Sequence, residues 1–223
     1  MKPFKNCSGE FANKVILLFA SLLVTASIFL PYWKIHIIAP QYPKGLDVYV
    51  HVVGARGDVR EVDGLNHYIG MRPLDEAAPF ERKIAVPGLS LVALALVTAA
   101  FVGRPRWFSW LLIVPTLAVL VVFPADLYYW LREFGLNLDP KAPLSAMVKP
   151  FVPPILGSGK IAQFGVVSWP TWGYFAVMLA GVLAIVALRR RALCEQRSSQ
   201  TPPVEPASEE PSTPTRPTIA GIR

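Results

Sequence analysis

Charged side chains are scarce in this chain, and long stretches have none. Asp, Glu, Lys and Arg make up only 17% of 223 residues, against 53% hydrophobic. Val15 to Trp33, Ile84 to Gly103 and Trp107 to Ala125 contain no charge, and neither does Ile161 to Leu188. That absence excludes an ordinary soluble domain, which spreads its charges more evenly. Cysteine is nearly missing. Cys7 and Cys194 stand near opposite ends and form no Cys-x-x-Cys pair. A disulfide framework and a covalent haem attachment are thereby excluded. No Ser-His-Asp arrangement and no motif of paired carboxylates is present, so the chain is not expected to be an enzyme.

The charge-free windows are the dominant positive signal. A hydrocarbon core of roughly 30 Å needs about 20 apolar residues in a helix. Helices also satisfy their own backbone groups, which lipid does not do. Four transmembrane helices are therefore expected, at 15–33, 84–103, 107–130 and 169–188. The net charge of +7 does not point to nucleic acid, because several of the bases sit at span ends. Lys2, Lys5 and Lys14 precede the first span, Arg104 and Arg106 separate the second from the third, and Arg189, Arg190 and Arg191 follow the fourth. Alternating spans put all three groups on one side, which the positive-inside rule makes the cytoplasm. The expectation is a multi-pass protein of a bacterial inner membrane. Its N-terminus 1–14, loop 104–106 and disordered tail 189–223 are cytoplasmic, and segments 34–83 and 131–168 are periplasmic. The fold class expected is an all-α membrane protein, with a small periplasmic domain containing a β-hairpin.

Segment 34–83 balances its bases and acids, and a connection this long needs structure of its own. Leu46, Val48, Val50 and Val52 alternate with Asp47, Tyr49 and His51, a strand period. A turn is expected over Gly54 to Asp58, a returning strand over Val59 to Val62, and a short helix over Leu65 to Met71 capped by Asp63. Segment 131–168 is rich in proline and reads as loop. Its Gly157-Ser158-Gly159-Lys160 is a turn rather than a phosphate loop, since the rest of that pattern is missing. All six tryptophans fall at expected membrane interfaces. Ala95, Ala99 and Gly103 share a four-residue spacing with Ala176, Ala180 and Ala184, a packing face between spans two and four or between protomers. Pro115 is expected to bend the third span. Asp126, near its outer end, is either an ion-path residue or an interfacial carboxylate paired with Arg132.

The residue types that could carry chemistry collect in segment 34–83. His67 and Met71 are four apart, so a helix there would put imidazole and thioether on one face. That donor pair suits copper, Cu(I) above all. His51 is the next candidate metal ligand, with His36 and Met147 further out. A structural role for all of them stays open. The stretches Tyr42-Pro43-Lys44-Gly45-Leu46, Leu65-Asn66-His67-Tyr68-Ile69-Gly70-Met71 and Pro153 to Phe164 resemble a group of small multi-pass bacterial inner-membrane proteins. That group is associated with copper handling and with nitrous-oxide-reductase or Sco-type assembly. The resemblance implies an accessory role, with a periplasmic copper protein or a membrane complex as partner. The alternative is a metal-free membrane scaffold, or a subunit of a larger membrane complex or transporter.

Overall fold

The computed structural model of the protein describes residues 9–101, 106–144, 147–161 and 163–200. The expectations for residues 1–8 and 201–223, and for most of loop 104–106, lie outside the described residues. Five α-helices are described: α1 (Gly9–Ser27), α2 (Val59–Ile69), α3 (Pro79–Phe101), α4 (Arg106–Leu136) and α5 (Trp172–Gln200). Five strands accompany them: β1 (Trp33–Ala39), β2 (Tyr42–His51), β3 (Gly54–Gly57), β4 (Gly157–Ile161) and β5 (Phe164–Pro170). Helices α1, α3, α4 and α5 are long and apolar enough to cross a membrane.

The all-α expectation is corrected here. The strands form one antiparallel sheet in the order β3-β2-β1-β5-β4, and the fold is mixed α and β. Gly54 to Asp58, expected as a turn, supplies β3, and the expected strand at Val59 to Val62 is the first turn of α2. Gly157 to Lys160, expected as a turn, belongs to β4. The expected disordered tail begins as helix, because α5 continues to Gln200.

The four long apolar helices form a ring. Helix α1 packs against α3 and α5, and α4 packs against the same two. The expected packing of spans two and four on each other is not formed, because α3 and α5 stand across the ring; Ala99 of α3 and Ala180 and Ala184 of α5 are buried against the helices between them. Burial in lipid gains little from the hydrophobic effect, so close backbone approach and interhelical hydrogen bonds must hold the ring. Ser21 Oγ donates to the Ala93 carbonyl at 2.9 Å, tying α1 to α3.

The α4–α5 contact solves a backbone problem. Helix α4 runs unbroken through Pro115 and Pro124. Proline has no N–H, so Pro124 leaves the Leu120 carbonyl without its intrahelical donor. The Tyr174 hydroxyl of α5 donates to that carbonyl at 3.0 Å. Gly181, about two turns on, leaves room for Leu117 of α4.

The sheet sits at the end of the bundle where α1 stops and α5 starts. Ser27 Oγ and Tyr32 Oη lie 2.8 Å apart, and the Thr171 hydroxyl donates to the Pro31 carbonyl at 2.6 Å. Gly173 passes so close to Tyr32 and the Pro31 carbonyl that a side chain there would collide with both. Strand parity then sorts the side chains. Trp33, Ile35, Leu46, Val48 and Val166 face inward, against Val62 of α2 and Leu131 of α4. Each such side chain, once out of water, is worth about 1.5–3 kcal/mol. Trp33 is therefore a core residue rather than a membrane-belt residue. Its indole N–H is shared between the Ile155 carbonyl at 2.7 Å and Ser168 Oγ at 2.9 Å.

Candidate functional site

The stretch Asn66 to Met71 is a structural junction. Helix α2 ends at Ile69, and Gly70 adopts the left-handed conformation with φ +81. Two carbonyls there hold the second outer segment: Asp139 N–H donates to Gly70 O at 2.8 Å, and Leu144 N–H to Tyr68 O at 3.0 Å. The left-handed step also separates His67 from Met71. The His67 side chain is exposed and lies beside the Tyr68 ring. Met71 is buried in an apolar cluster with Ile69 and Phe134. The expected helical face shared by the two side chains is not formed, because the helix ends before Met71. His51 is elsewhere again, at the end of β2 and on the rim of a cleft. Among the described residues, no group of three His, Cys, Asp or Glu side chains is close enough to hold a metal ion.

The further candidates also part company. His36 Nδ1 stands 2.6 Å from Asp47 Oδ1, and Lys34 Nζ 2.9 Å from Asp47 Oδ2, on the outer face of the sheet. Only the N–H tautomer suits a carboxylate partner at that distance. Partial burial acts to raise the Asp47 pKa, but the hydrogen bonds from His36 and Lys34 outweigh it and hold the carboxyl below its usual range. Met147 is 83% exposed, in the loop that Tyr68 anchors. Tyr68 is itself 55% exposed, and Leu144 is exposed beside it. All three are exposed on backbone joined by the Leu144–Tyr68 and Met147–Leu144 hydrogen bonds, and the His67 ring lies against Tyr68.

A large concavity lies between α3 and α4. It is a cleft of about 610 Å³ that runs from the level of Val92 and Pro115 up to Leu74 and Phe134 under the sheet. Its lower walls are apolar, among them Leu89, Ala118 and Val122. Its upper end carries Glu81, Arg82, Asp126, Trp130 and His51. Glu81 Oε2 and Trp130 Nε1 are buried and have no hydrogen-bond partner among the described residues. Asp126 lies within electrostatic range of Glu81. Trp130 is one helical turn further along, near enough for the Asp126 carboxyl to sense its N–H but outside good hydrogen-bonding geometry. Arg82 is committed to the neighbouring turn, donating to Asp75 O at 3.0 Å and Leu74 O at 2.8 Å. At the rim, burial lowers the His51 pKa and the Arg56 charge lowers it further, while a hydrogen bond to the Leu30 carbonyl acts against them.

Of this cluster the sequence singles out only Asp126 and His51. Arg132, the expected partner of Asp126, is exposed, and the charge Asp126 senses is that of Glu81. A usable signal exists: Glu81 opens one span and Asp126 nears the end of the next. Antiparallel neighbours bring those two positions to one level. No protein-family model matches this sequence, and no curated protein is similar to it.

Proposed function

We propose that the chain is a multi-pass membrane accessory protein, without catalytic activity of its own, that docks a partner protein through the end of the molecule bearing the sheet. One observation carries this reading: Tyr68, Leu144 and Met147 are exposed together on backbone held by the Leu144–Tyr68 hydrogen bond. Apolar side chains presented to water from an anchored surface mark a contact site. The sheet end faces away from the cytoplasm in this reading. Support comes from Lys14 and from Arg189 to Arg191, which lie at the helix ends remote from the sheet.

Transient Cu(I) binding is a second reading with its own support. An exposed imidazole, His67, and an exposed thioether, Met147, border the same surface, and this donor pair suits Cu(I). In this version Met147 takes the part that the spacing assigns to Met71. A photo-crosslinking residue placed at Met147 in the full chain, in cells, should give one discrete adduct that the exposed position Arg60 does not give. Equal adducts from both positions would remove the docking reading. Copper content of the purified protein, compared with His67→Ala and Met147→Ala, tests the second reading; no change in either variant removes it. A reporter fused after Lys83 tests the orientation, and a cytoplasmic readout would reverse it.

A further inference from the structure

The cleft between α3 and α4 is independent of the docking surface, and its chemistry points to a ligand. We infer that it binds a single phospholipid with a primary-amine headgroup, of the ethanolamine class. Each end of the cleft calls for a different part of such a molecule. The lower part lies at the depth of Val92, Pro115 and Ala118, within two helices long enough to span a bilayer, so an acyl chain can enter sideways. A cleft of about 610 Å³ whose apolar lower part opens at that depth does not remain void in a fluid bilayer.

The upper end sets the headgroup. Glu81 and Asp126, both half-buried, bring two carboxyl groups to the same end of the cleft, within electrostatic range of each other. Like charges in low dielectric repel strongly, and Glu81 Oε2 has no donor among the described residues. An ammonium between them supplies both the positive charge and the missing N–H donors. The unpartnered Trp130 indole N–H then faces the phosphate that every phospholipid carries next to its headgroup, and the Arg82 guanidinium, held in place by the Asp75 and Leu74 carbonyls, adds positive charge at the same end. Two acids, one base and an indole N–H match a zwitterion whose amine leads. A trimethylated amine offers no N–H, and a purely anionic headgroup meets two carboxylates.

Native mass spectrometry of the delipidated full chain tests this. The protein is titrated in detergent with phosphatidylethanolamine, phosphatidylcholine and phosphatidylglycerol of identical acyl chains. One phosphatidylethanolamine should be retained about tenfold more strongly than either of the others, the ratio expected for one charge-assisted hydrogen bond. In the variant carrying Glu81→Gln and Asp126→Asn, that preference should vanish while total lipid retention persists. Ala118→Trp, which fills the lower cleft, should remove the retained lipid for every headgroup. Equal retention of the three lipids by the wild-type chain overturns the inference without any variant. An ethanolamine preference that survives the double substitution overturns the assignment to Glu81 and Asp126.

Discussion

The hydrogen bond from Tyr174 to Leu120 gives a sharp test of how this bundle is held. Pro124 removes the donor that the Leu120 carbonyl would otherwise receive, and the Tyr174 hydroxyl replaces it at 3.0 Å. Tyr174→Phe deletes only that hydroxyl, and the ring keeps its edge-on contact with Trp33 at 5.4 Å between centroids. Interhelical hydrogen bonds in membranes are worth about 0.6 kcal/mol on average and up to about 1.7. A carbonyl with no intrahelical donor belongs near the upper part of that range, so the expected loss is about 1 kcal/mol. For a chain of this length that lowers the unfolding midpoint by about 2–4 °C. The second half of the test restores the backbone donor. In a Pro124→Ala background the residue 124 N–H can bond Leu120, so Tyr174→Phe should then cost close to nothing. The assay is thermal unfolding of all four proteins in one detergent, read as a double-mutant cycle. Equal losses from Tyr174→Phe in both backgrounds would refute the reasoning, since the hydroxyl would then not be replacing the missing donor.

Other perturbations follow from the same geometry. Gly70→Ala forces a side chain into the left-handed region and against the Asp139 backbone, so it should cost at least about 1–2 kcal/mol, seen as a lower unfolding midpoint. His51 has a lowered pKa in the fold, so the unfolded chain takes up its proton first on acidification. Its contribution is complete above about pH 6.5 and is lost as the pH falls through that value towards the folded pKa. Midpoints measured between pH 7.5 and 5.5 should therefore fall less in His51→Gln than in the wild type. Asp47 is also depressed, and its contribution is lost only as the pH falls below the normal carboxylate range, near 4. Because Asp47 and its partners are about one-third exposed, Asp47→Asn should cost less than about 1 kcal/mol at neutral pH.

The four long apolar helices were legible because a span needs about 20 residues free of charge. Charge-free windows of about 20 residues are rare outside helices that cross a bilayer. The β2 strand was legible for a related reason, since Leu46, Val48 and Val50 alternate with polar neighbours. The rest of the sheet depends on partners far away in sequence. Pairing of β1 with β5 sets Lys34 opposite Trp169 and His36 opposite Val167, and local pattern carries no trace of that register. Trp33 misled for the same reason, because its position after an apolar run fits an interface as well as it fits a core strand. The His67–Met71 expectation had a contrary sign within it. Gly70 lies between them, and a glycine there is a common stop signal for a helix. The cleft was hidden because it requires two helices to be placed side by side before Glu81 and Asp126 can be compared.

The pairing of β1 with β5 has a consequence for biosynthesis. The β1–β2–β3 hairpins emerge from the ribosome early, yet the open edge of β1 stays uncovered until Phe164 to Pro170 has been made. Two long apolar helices, α3 and α4, are made during that wait. An exposed edge invites pairing with the wrong chain, so each nascent molecule is vulnerable to aggregation until its last strand arrives. A product truncated ahead of β5 should consequently be a target for degradation, and closure of the sheet would mark that synthesis has passed Pro170.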